Sequence, residues 1–535
     1  MATSHKGESA VSEGFQPEKR AHSNFNVAAF LSGLTLAWVV LIWTFRFLPM
    51  EDYPLWLYGA KVAALQFQGH PLPGFTLLHW PIPNSAFVAL VGILDFWLPP
   101  EISGKVFLTA CVILYCLGAY QLVRSMTSKR NSALFILPML YVFHRTFLAG
   151  ELSCSLGMGI LLIAMAFALR ASRPSFAAIC GISITLFFCH AIPYICWLIL
   201  VFTLIVFDST RFPRLRTALA TAPSMVLVAL YALHGGVPHH AGPRHDFLGA
   251  FREVPRFWSL FSPLHFFSPF FVNDPRWLKV AALAFNAYSV VSVLLLIGIW
   301  CWKLPGRLRN ESASIKAALI TALIFLILFV AAPFETFTGV FDLNYRFLLP
   351  AFILILATLV PVLPEVRGSR VAVVFSVLLV VAFQFYYTAR TNTATEKTYA
   401  LLAHSNLGAD FRDITHGPFE PRAPESDTGS RFMLPAQEGF YTFAAYIRLE
   451  HLWPGPMFTT SFVVRDTDYP PLLGNTNPRF VWPREIVILG LQKQNREIAE
   501  VLPARYQVAA DTEYLMILKA LGETEPPKRQ KSLSD

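Results

Sequence analysis

Long apolar segments separated by short polar stretches fill the first three quarters of the chain. A helix needs about 20 apolar residues to cross about 30 Å of hydrocarbon, and segments of that size recur here. The pattern predicts eleven membrane-spanning helices, at about 27–48, 104–123, 132–148, 152–169, 174–189, 192–207, 217–234, 277–300, 315–333, 347–363 and 371–388. The expected fold class is therefore a polytopic α-helical membrane protein.

Composition agrees with this interpretation. Of the 535 residues, 55% are hydrophobic and 14% are charged, whereas soluble domains carry about 25% charged residues. The formal net charge of +9 comes from basic residues clustered between apolar segments. Such clusters are typical of cytoplasmic loops and argue against a nucleic-acid-binding surface.

The basic clusters occupy every second predicted loop, on the same side as the N-terminal tail. They comprise Arg124, Lys129 and Arg130; Arg170 and Arg173; Arg211, Arg214 and Arg216; Lys303, Arg307 and Arg309; and Arg367 and Arg370. The positive-inside rule then predicts a cytoplasmic N-terminus and a C-terminal region outside the plasma (inner) membrane. No small-residue cleavage site follows the first apolar segment, which we interpret as an uncleaved anchor.

Two apolar segments leave alternatives. Residues 85–98 are short for a span and Asp95 interrupts their end, so a helix lying on or dipping into the outer leaflet is predicted. In 174–207, two short segments meet at His190 and Pro193. A broken, partly re-entrant hairpin is the alternative to two full spans there.

These elements predict five regions. A cytoplasmic tail (1–26) precedes a membrane domain (27–389) with long outer loops at 49–103 and 235–276. Residues 390–525 form an extracytoplasmic domain, and 526–535 a disordered tail. Near the end, "YQVAADTEYLMILKAL" alternates about a turn at Asp511–Thr512, which predicts a hairpin in a mixed α/β domain.

The first candidate chemistry lies directly after the first span, where "FRFLPMEDYPLWLYGAKV" places the adjacent carboxylates of Glu51 and Asp52. Asp52 can cap an interfacial helix running to about Phe67. A carboxylate just outside the bilayer can also act as a general base on an acceptor hydroxyl. The two interpretations are compatible, because a capping carboxylate is held rigidly.

Further ionisable residues fall at the predicted outward ends of spans, where such groups usually face a cavity or a partner. Arg145 and Glu151 lie at the ends of two consecutive spans, and His190 at the next outward turn. An Arg145–Glu151 ion pair is the alternative to substrate contact. For His190, the alternative is a hydrogen bond to a neighbouring carbonyl.

Arg346 enters a later span from the outward side, two residues after Asn344. Positive-inside bias does not account for it. An arginine there can hold a lipid-linked phosphate in a bidentate manner. Snorkelling to lipid head groups is the alternative.

Metal binding is a weaker hypothesis. The outward loop "HGGVPHHAGPRHDF" contains the candidate ligands His239, His240, His245 and Asp246, although a solvated lid accounts for them equally well. In the first loop, His70 and His79 have no recognised ligand spacing, so His79 is retained as a cavity residue. The seven cysteines lie in or beside apolar segments and suggest neither disulfides nor a zinc site.

The chain resembles the GT-C superfamily of membrane glycosyltransferases. The resemblance lies in the acidic pair after the first span, the long first outer loop and "NYRFLLPAF", which is similar to the Arg-(Tyr/Phe)-x-x-Pro element of enzymes that use polyprenyl-phosphate sugars. "GELSCSLGMGILLIAMAFALR", followed by "FFCHAIPYICWLIL", is also similar to bacterial members. By architecture the resemblance covers 27–390; by motif it covers only these stretches.

The resemblance implies transfer of a sugar from a polyprenyl-phosphate donor to an acceptor hydroxyl on the outer face of the membrane. It maps the catalytic base, or a metal-binding acid, to Asp52, with Glu51 as the alternative, and the donor-phosphate contact to Arg346. Glu151 and Asp246 are candidates for a second acid, so a divalent metal ion stays open as a cofactor. Arg145, Glu151, His190, Asn344 and His79 would line the cavity.

Two other classes remain: a transporter or lipid flippase, and a non-catalytic protein of envelope assembly. A transporter would show internal repeats and charges near mid-membrane, and the sequence shows neither. The one Asn-x-Ser/Thr sequon, at Asn310, lies in a predicted cytoplasmic loop. Together with the absence of outward cysteines, this favours a bacterial plasma membrane.

Overall fold

The structure is a computed structural model. It describes residues 27–50, 53–71, 75–78, 81–127, 133–148, 150–234, 276–332, 345–363, 367–404, 411–415, 463–465, 485–489, 496, 499–500, 502, 505–511 and 515–521. In the first part of the chain the helices are α1 (Val27–Thr44), α2 (Tyr53–Phe67), α3 (Ala86–Leu94), α4 (Pro100–Ser125), α5 (Arg145–Leu148), α6 (Leu152–Arg170), α7 (Phe176–Cys189), α8 (Ala191–Phe207) and α9 (Arg214–Leu233). They are followed by α10 (Arg276–Asn310), α11 (Ala313–Ala331), α12 (Tyr345–Leu359) and α13 (Arg367–His404).

The protein is a polytopic helical membrane protein, as predicted. Seven described helices are long and apolar enough to cross a membrane: α1, α4, α6, α9, α10, α11 and the Arg370–Arg390 part of α13. Shorter apolar helices occupy 134–148, α7, α8 and most of α12. α10 and α13, at 35 and 38 residues, extend well beyond the predicted spans.

The prediction of one regular span at 132–148 is wrong. Residues Ala133–Tyr141 form a 3₁₀ helix that contains Pro138, and α5 follows as a separate single turn. Proline has no backbone N–H to donate and its ring clashes with the preceding turn of an α-helix. The segment instead packs between α4 and α13.

The centre of the bundle is the contact between α4 and α6. A Cβ on Gly118 would lie 2.8 Å from Leu162 Cβ, and one on Gly159 would lie 2.9 Å from the backbone nitrogen of Tyr115. The two glycines therefore let the helix backbones approach closely, as small residues do in membrane bundles. α6 is buried on nearly every side and also packs against α7 and α8.

One end of the bundle collects polar groups from the predicted basic loops. Arg211 donates to the carbonyls of Ala168 (2.8 Å) and Ala171 (2.9 Å) at the C-terminus of α6 and forms an ion pair with Asp208 at 3.1 Å. Ser314, at the start of α11, donates to Asp208 at 3.0 Å. Loops that the sequence assigns to one side of the membrane thus meet at one end, here named the Arg211 end.

The opposite end contains the start of α4 and the segment after α1. Arg46 forms an ion pair with Glu101 at 3.1 Å, and Lys105 donates to the carbonyl of Phe45 at 2.7 Å. The amide of Phe47 donates to Asn392 of α13 at 2.9 Å. This end is named the Arg346 end, after the residue described below.

The first long loop folds back onto the Arg346 end. The predicted helix ending near Phe67 is confirmed as α2, which packs against α3 and α4. A Cβ on Gly104 would overlap the hydroxyl of Tyr53, so α2 begins in direct contact with α4. α3 has nine residues, which is too short to span a bilayer, as expected for 85–98.

Strands occur mainly in the C-terminal part. β2 (Phe411–Thr415), β4 (Glu485–Leu489), β5 (Tyr506–Asp511) and β6 (Leu515–Ala520) form a mixed sheet of order β2-β4-β6-β5, in which β2 and β4 are parallel. β5 and β6 pair antiparallel, which confirms the predicted hairpin. β1 (Phe75–Leu77) in the first loop pairs with β3 (Val463–Arg465).

Candidate functional site: a buried arginine at three helix N-termini

Arg346 is the centre of a polar cluster at the end of the bundle that carries its name. The residue is 6% exposed. Its Nη2 donates to the carboxylate of Glu151, and its Nη1 lies 2.8 Å from Nε2 of His190. Three of the residues singled out from the sequence are therefore in direct contact, although up to 195 positions separate them.

The contacts decide between the alternatives for Arg346 and His190. The Arg346 side chain is only 7% exposed and faces other helices, so the snorkelling alternative is wrong. A membrane-facing arginine would stretch toward the head groups, whereas this one is bound by groups from α6 and α8. The expected carbonyl partner of His190 is also wrong, because among the described residues its ring nitrogens contact Arg346 and the backbone amide of Ile192.

Three helices begin at this cluster. Glu151 is the N-cap residue of α6, His190 is the N-cap residue of α8, and Arg346 lies in the first turn of α12. A helix N-terminus presents unpaired N–H groups and about half a positive charge. Three such termini and one guanidinium therefore create a strongly anion-attracting site in a low-dielectric environment.

His190 contacts Arg346 and the first turn of α8 through its two ring nitrogens. The amide of Ile192 lies 3.1 Å from Nδ1 and Nη1 of Arg346 lies 2.8 Å from Nε2, and because both are donors, a neutral imidazole with one lone pair accepts from only one of them. His190 lies in the turn outside both α7 and α8, where burial and then the charge of Arg346 hold its pKa well below the usual value. One of the two donors therefore lacks the lone pair of the ring, and an anion beside the ring can accept from it.

Gly157 sets the distance between α6 and the turn that joins α7 to α8. A Cβ on Gly157 of α6 would lie 2.9 Å from the ring of Pro193 and 3.0 Å from Cβ of Cys189. The absence of a side chain lets the α7–α8 turn approach α6, and this contact brings His190 beside Glu151. The α7–α8 pair therefore reaches from the Arg211 end to the site.

The first loop is anchored to the same region. Phe87, at the start of α3, donates its amide to the hydroxyl of Ser153 at 3.0 Å, and Ser153 donates to the carbonyl of Asn84 at 3.3 Å. The amide of Ser85 donates to the carbonyl of Phe188 at 3.0 Å. Sequence reasoning missed Ser153, because one serine in "GELSCSLGMG" carries no signal for a contact with a distant loop.

Asp95 is a second polar residue of the first loop and follows α3, which packs against α4 and α6. Asp95, directly after α3, is 6% exposed, and neither carboxylate oxygen has a hydrogen-bond partner among the described residues. Burial raises its pKa to about 6, and the charge of Lys61 offsets part of that rise. The sequence had marked Asp95 only as the end of an apolar segment.

Several predicted site residues lie outside what the structure describes. Glu51 and Asp52 directly precede α2, so only the helix that follows them is described. The backbone of Arg145 begins α5, but its side chain is outside the described set, and the Arg145–Glu151 pair is untested. Also outside are Asn344, His79, His239, His240, His245 and Asp246. Among the described residues, no group of three or more His, Cys, Asp or Glu side chains could hold a metal ion.

Neither a protein-family profile nor a curated protein matches the chain. Among solved structures, the chain is similar to the crystal structure of ArnT from Cupriavidus metallidurans in the apo state, with 13% sequence identity and a TM-score of 0.37. The match covers 92% of this chain and 98% of that one. A global similarity of this size does not establish a shared fold or activity.

Proposed function

We propose that this protein is a membrane glycosyltransferase of the GT-C type, in which Arg346 binds the phosphate of a polyprenyl-phosphate-linked sugar donor. The observation that carries the proposal is the buried Arg346 at the N-termini of α6, α8 and α12. An anionic ligand is what such an arrangement attracts. Because it lies at one end of an apolar bundle, the ligand class it fits best is a phosphate carried by a lipid.

The donor phosphate would replace part of the cluster's internal bonding. Arg346 offers a planar fork to two phosphate oxygens, and once the phosphate separates the two side chains, His190 protonated on Nε2 would offer a third donor. In the reaction, the bond from the sugar's anomeric carbon to the phosphate oxygen breaks, and that oxygen keeps the electron pair. The guanidinium and helix dipoles would stabilise the developing charge, an effect worth several kcal/mol, of order 3, in a water-excluded site.

Asp52 is proposed as the general base, with Glu51 as the alternative. It would accept the proton of an acceptor hydroxyl while that oxygen bonds to the anomeric carbon, with inversion. The proposal is supported by the position of α2, which starts one residue later and packs against α4 at the Arg346 end. A divalent metal ion at the acidic pair stays open as a cofactor.

The proposed location is a bacterial plasma membrane, with the Arg346 end and the C-terminal sheet outside. The basic loops at the Arg211 end support this orientation through the positive-inside rule. The acceptor would then approach from the outer aqueous side and the donor from within the membrane.

Binding and turnover of a polyprenyl phosphate sugar test the proposal. The experiment measures binding of radiolabelled polyprenyl monophosphate to the full-length protein in detergent, for wild type, Arg346→Gln and Asp52→Asn. Arg46→Gln is the matched control, because Arg46 also pairs with a glutamate at this end but is exposed. We expect Arg346→Gln alone to lose binding, and Asp52→Asn to bind normally while losing transfer.

The opposite results are equally informative. Wild-type protein that does not bind polyprenyl phosphate would contradict the donor site and favour a transporter or an envelope-assembly protein. Normal sugar transfer by both Asp52→Asn and Glu51→Gln would remove the proposed base. Thermal unfolding of each variant in detergent distinguishes a loss of binding from a loss of fold.

A further inference from the structure

Arg346, the cation at the centre of the site, already forms an ion pair with a carboxylate. Arg346 donates to Glu151, and the glutamate side chain is 24% exposed whereas the arginine side chain is 7% exposed. The ion pair itself is closed off from water, because Oε2 of Glu151 is buried. A phosphate that binds the edge of the guanidinium facing Glu151 must therefore displace this carboxylate.

Glu151 joins α6 through its backbone, because its carbonyl accepts from the amide of Ser155 at 3.0 Å. It occupies the N-cap position of α6 with non-helical backbone angles (φ −76°, ψ 68°), yet its side chain makes no capping hydrogen bond. Gly150, directly before it, has φ +83°, a conformation that glycine adopts without strain. The residue thus sits on a turn, and its carboxylate reaches across to α12 instead of accepting from the first amides of α6.

The N-cap position offers the carboxylate of Glu151 a second set of hydrogen-bond donors. An acidic side chain there can accept from the N–H groups of the following two or three residues, here Ser153 and Cys154, and is favoured by the helix dipole. Glu151 can therefore leave Arg346 without becoming an uncompensated buried charge. The arriving phosphate would keep Arg346 paired, so the site exchanges one anion for another.

We propose that Glu151 is an internal competitor for the lipid phosphate: it occupies Arg346 in the unliganded protein and must leave when the donor binds. This rests on the proposed function and adds a role for the resting ion pair. The competition weakens phosphate binding and, after sugar transfer, helps to displace the polyprenyl phosphate that remains. It also excludes neutral polyprenols, since only an anion can replace the carboxylate.

The test compares binding of polyprenyl monophosphate, polyprenol and inorganic phosphate to full-length wild type, Glu151→Gln and Glu101→Gln in detergent. Glu101 is the matched control, because it pairs with Arg46 at 3.1 Å at the same end of the bundle. We expect Glu151→Gln to bind polyprenyl monophosphate at least tenfold more tightly, with slower dissociation, and Glu101→Gln to behave as wild type. Inorganic phosphate that binds as tightly as the lipid would show that the site selects phosphate alone.

The outcomes separate this inference from the function on which it rests. If wild type binds the lipid and Glu151→Gln binds it equally or more weakly, Glu151 only positions Arg346 and the inference is overturned. If neither protein binds it, the donor site itself is wrong. Glu151→Asp, which keeps the charge but shortens the reach, covers the case in which Glu151→Gln does not fold, and we expect it also to bind more tightly than wild type.

Discussion

Arg346 Nη1 lies 2.8 Å from His190 Nε2, although 156 positions separate the two residues. The imidazole also accepts from the amide of Ile192, so it performs two tasks: it caps α8 and faces the guanidinium. This contact joins α8 to α12 at the point where Glu151 joins α6 to α12. The cluster is therefore both a structural connection and a site for an anion.

The two tasks of His190 can be separated by mutation. His190→Asn keeps an N-cap acceptor but is too short to reach Arg346, whereas His190→Ala removes both functions. We expect His190→Ala to lose about 1 kcal/mol more stability than His190→Asn, because it lacks the cap. Both variants should bind polyprenyl monophosphate more weakly to a similar extent, as measured by thermal unfolding and binding in detergent. Wild-type binding by His190→Asn would limit His190 to capping.

The Arg346–Glu151 pair should show strong coupling in a double-mutant cycle. Removing Glu151 leaves Arg346 charged and buried, which costs about 3–5 kcal/mol, whereas removing Arg346 leaves a glutamate that can cap α6 and costs less. Changing both to glutamine should be far less destabilising than the sum of the single changes. The unfolding midpoints of the two single variants and the double variant in one detergent give the coupling. Additive effects would mean that the ion pair contributes little to the fold.

Gly157 should control the spacing of the site. In Gly157→Ala the new methyl group meets the ring of Pro193 at 2.9 Å, so the α7–α8 turn must shift away from α6. We expect a loss of about 1–3 kcal/mol from overpacking, together with weaker phosphate binding. Gly181→Ala in α7 is the matched control, because a Cβ there meets nothing within 4 Å and alanine favours the helix. Equal behaviour of the two variants would contradict the close contact.

Asp95 should make stability depend on pH. Burial raises its pKa to about 6, above the 3.8 of an ordinary aspartate, so between these values the folded protein binds a proton that the unfolded chain releases. The free energy of unfolding should therefore fall as the pH rises from about 4 to 6, by about 1–2 kcal/mol, and stay lower above that range. Asp95→Asn should remove this decrease and stabilise the protein at pH 7. An unaltered pH profile in Asp95→Asn would refute the assignment.

The orientation of the bundle can be measured with single cysteines. Trp97, 73% exposed, lies at the Arg346 end, and the exposed Ser172 lies at the Arg211 end. In a Cys301→Ser background, which removes the exposed native thiol, we expect a membrane-impermeant reagent to label Trp97→Cys from outside and to spare Ser172→Cys. The reverse pattern would place the N-terminus outside and contradict the positive-inside assignment.

The helices were largely predictable because the length of an apolar segment is a local property of the sequence. A run of about 20 apolar residues has few alternatives to a spanning helix, whatever its neighbours are. The failure at 132–148 has a local cause that hydropathy does not measure, since Pro138 interrupts the hydrogen-bond ladder in a segment that is apolar throughout. α10 and α13 continue past their predicted spans through polar residues. A hydropathy window detects only the apolar part of such a helix.

The candidate site was only half predictable. Alternation of basic loops is enough to assign Glu151, His190 and Arg346 to the same end of the bundle, since each lies at an outward end of its span. Their mutual contacts were not predicted, because the sequence offered substrate or Arg145 as the partner of Glu151, and a lipid-linked phosphate or lipid head groups as the partner of Arg346. Distances across 156 and 195 positions depend on how helices pack.

The sequence by itself determined the class of protein, the approximate spans and the end at which charged groups gather, because these follow from the cost of placing polar groups in hydrocarbon. Only the tertiary structure decided which of these groups meet. Gly118, Gly157 and Gly159 allow α4, α6 and the α7–α8 turn to approach closely, and this packing fixes Arg346 between Glu151 and His190. The arrangement is a property of three helix starts in space, which no single segment of the chain encodes.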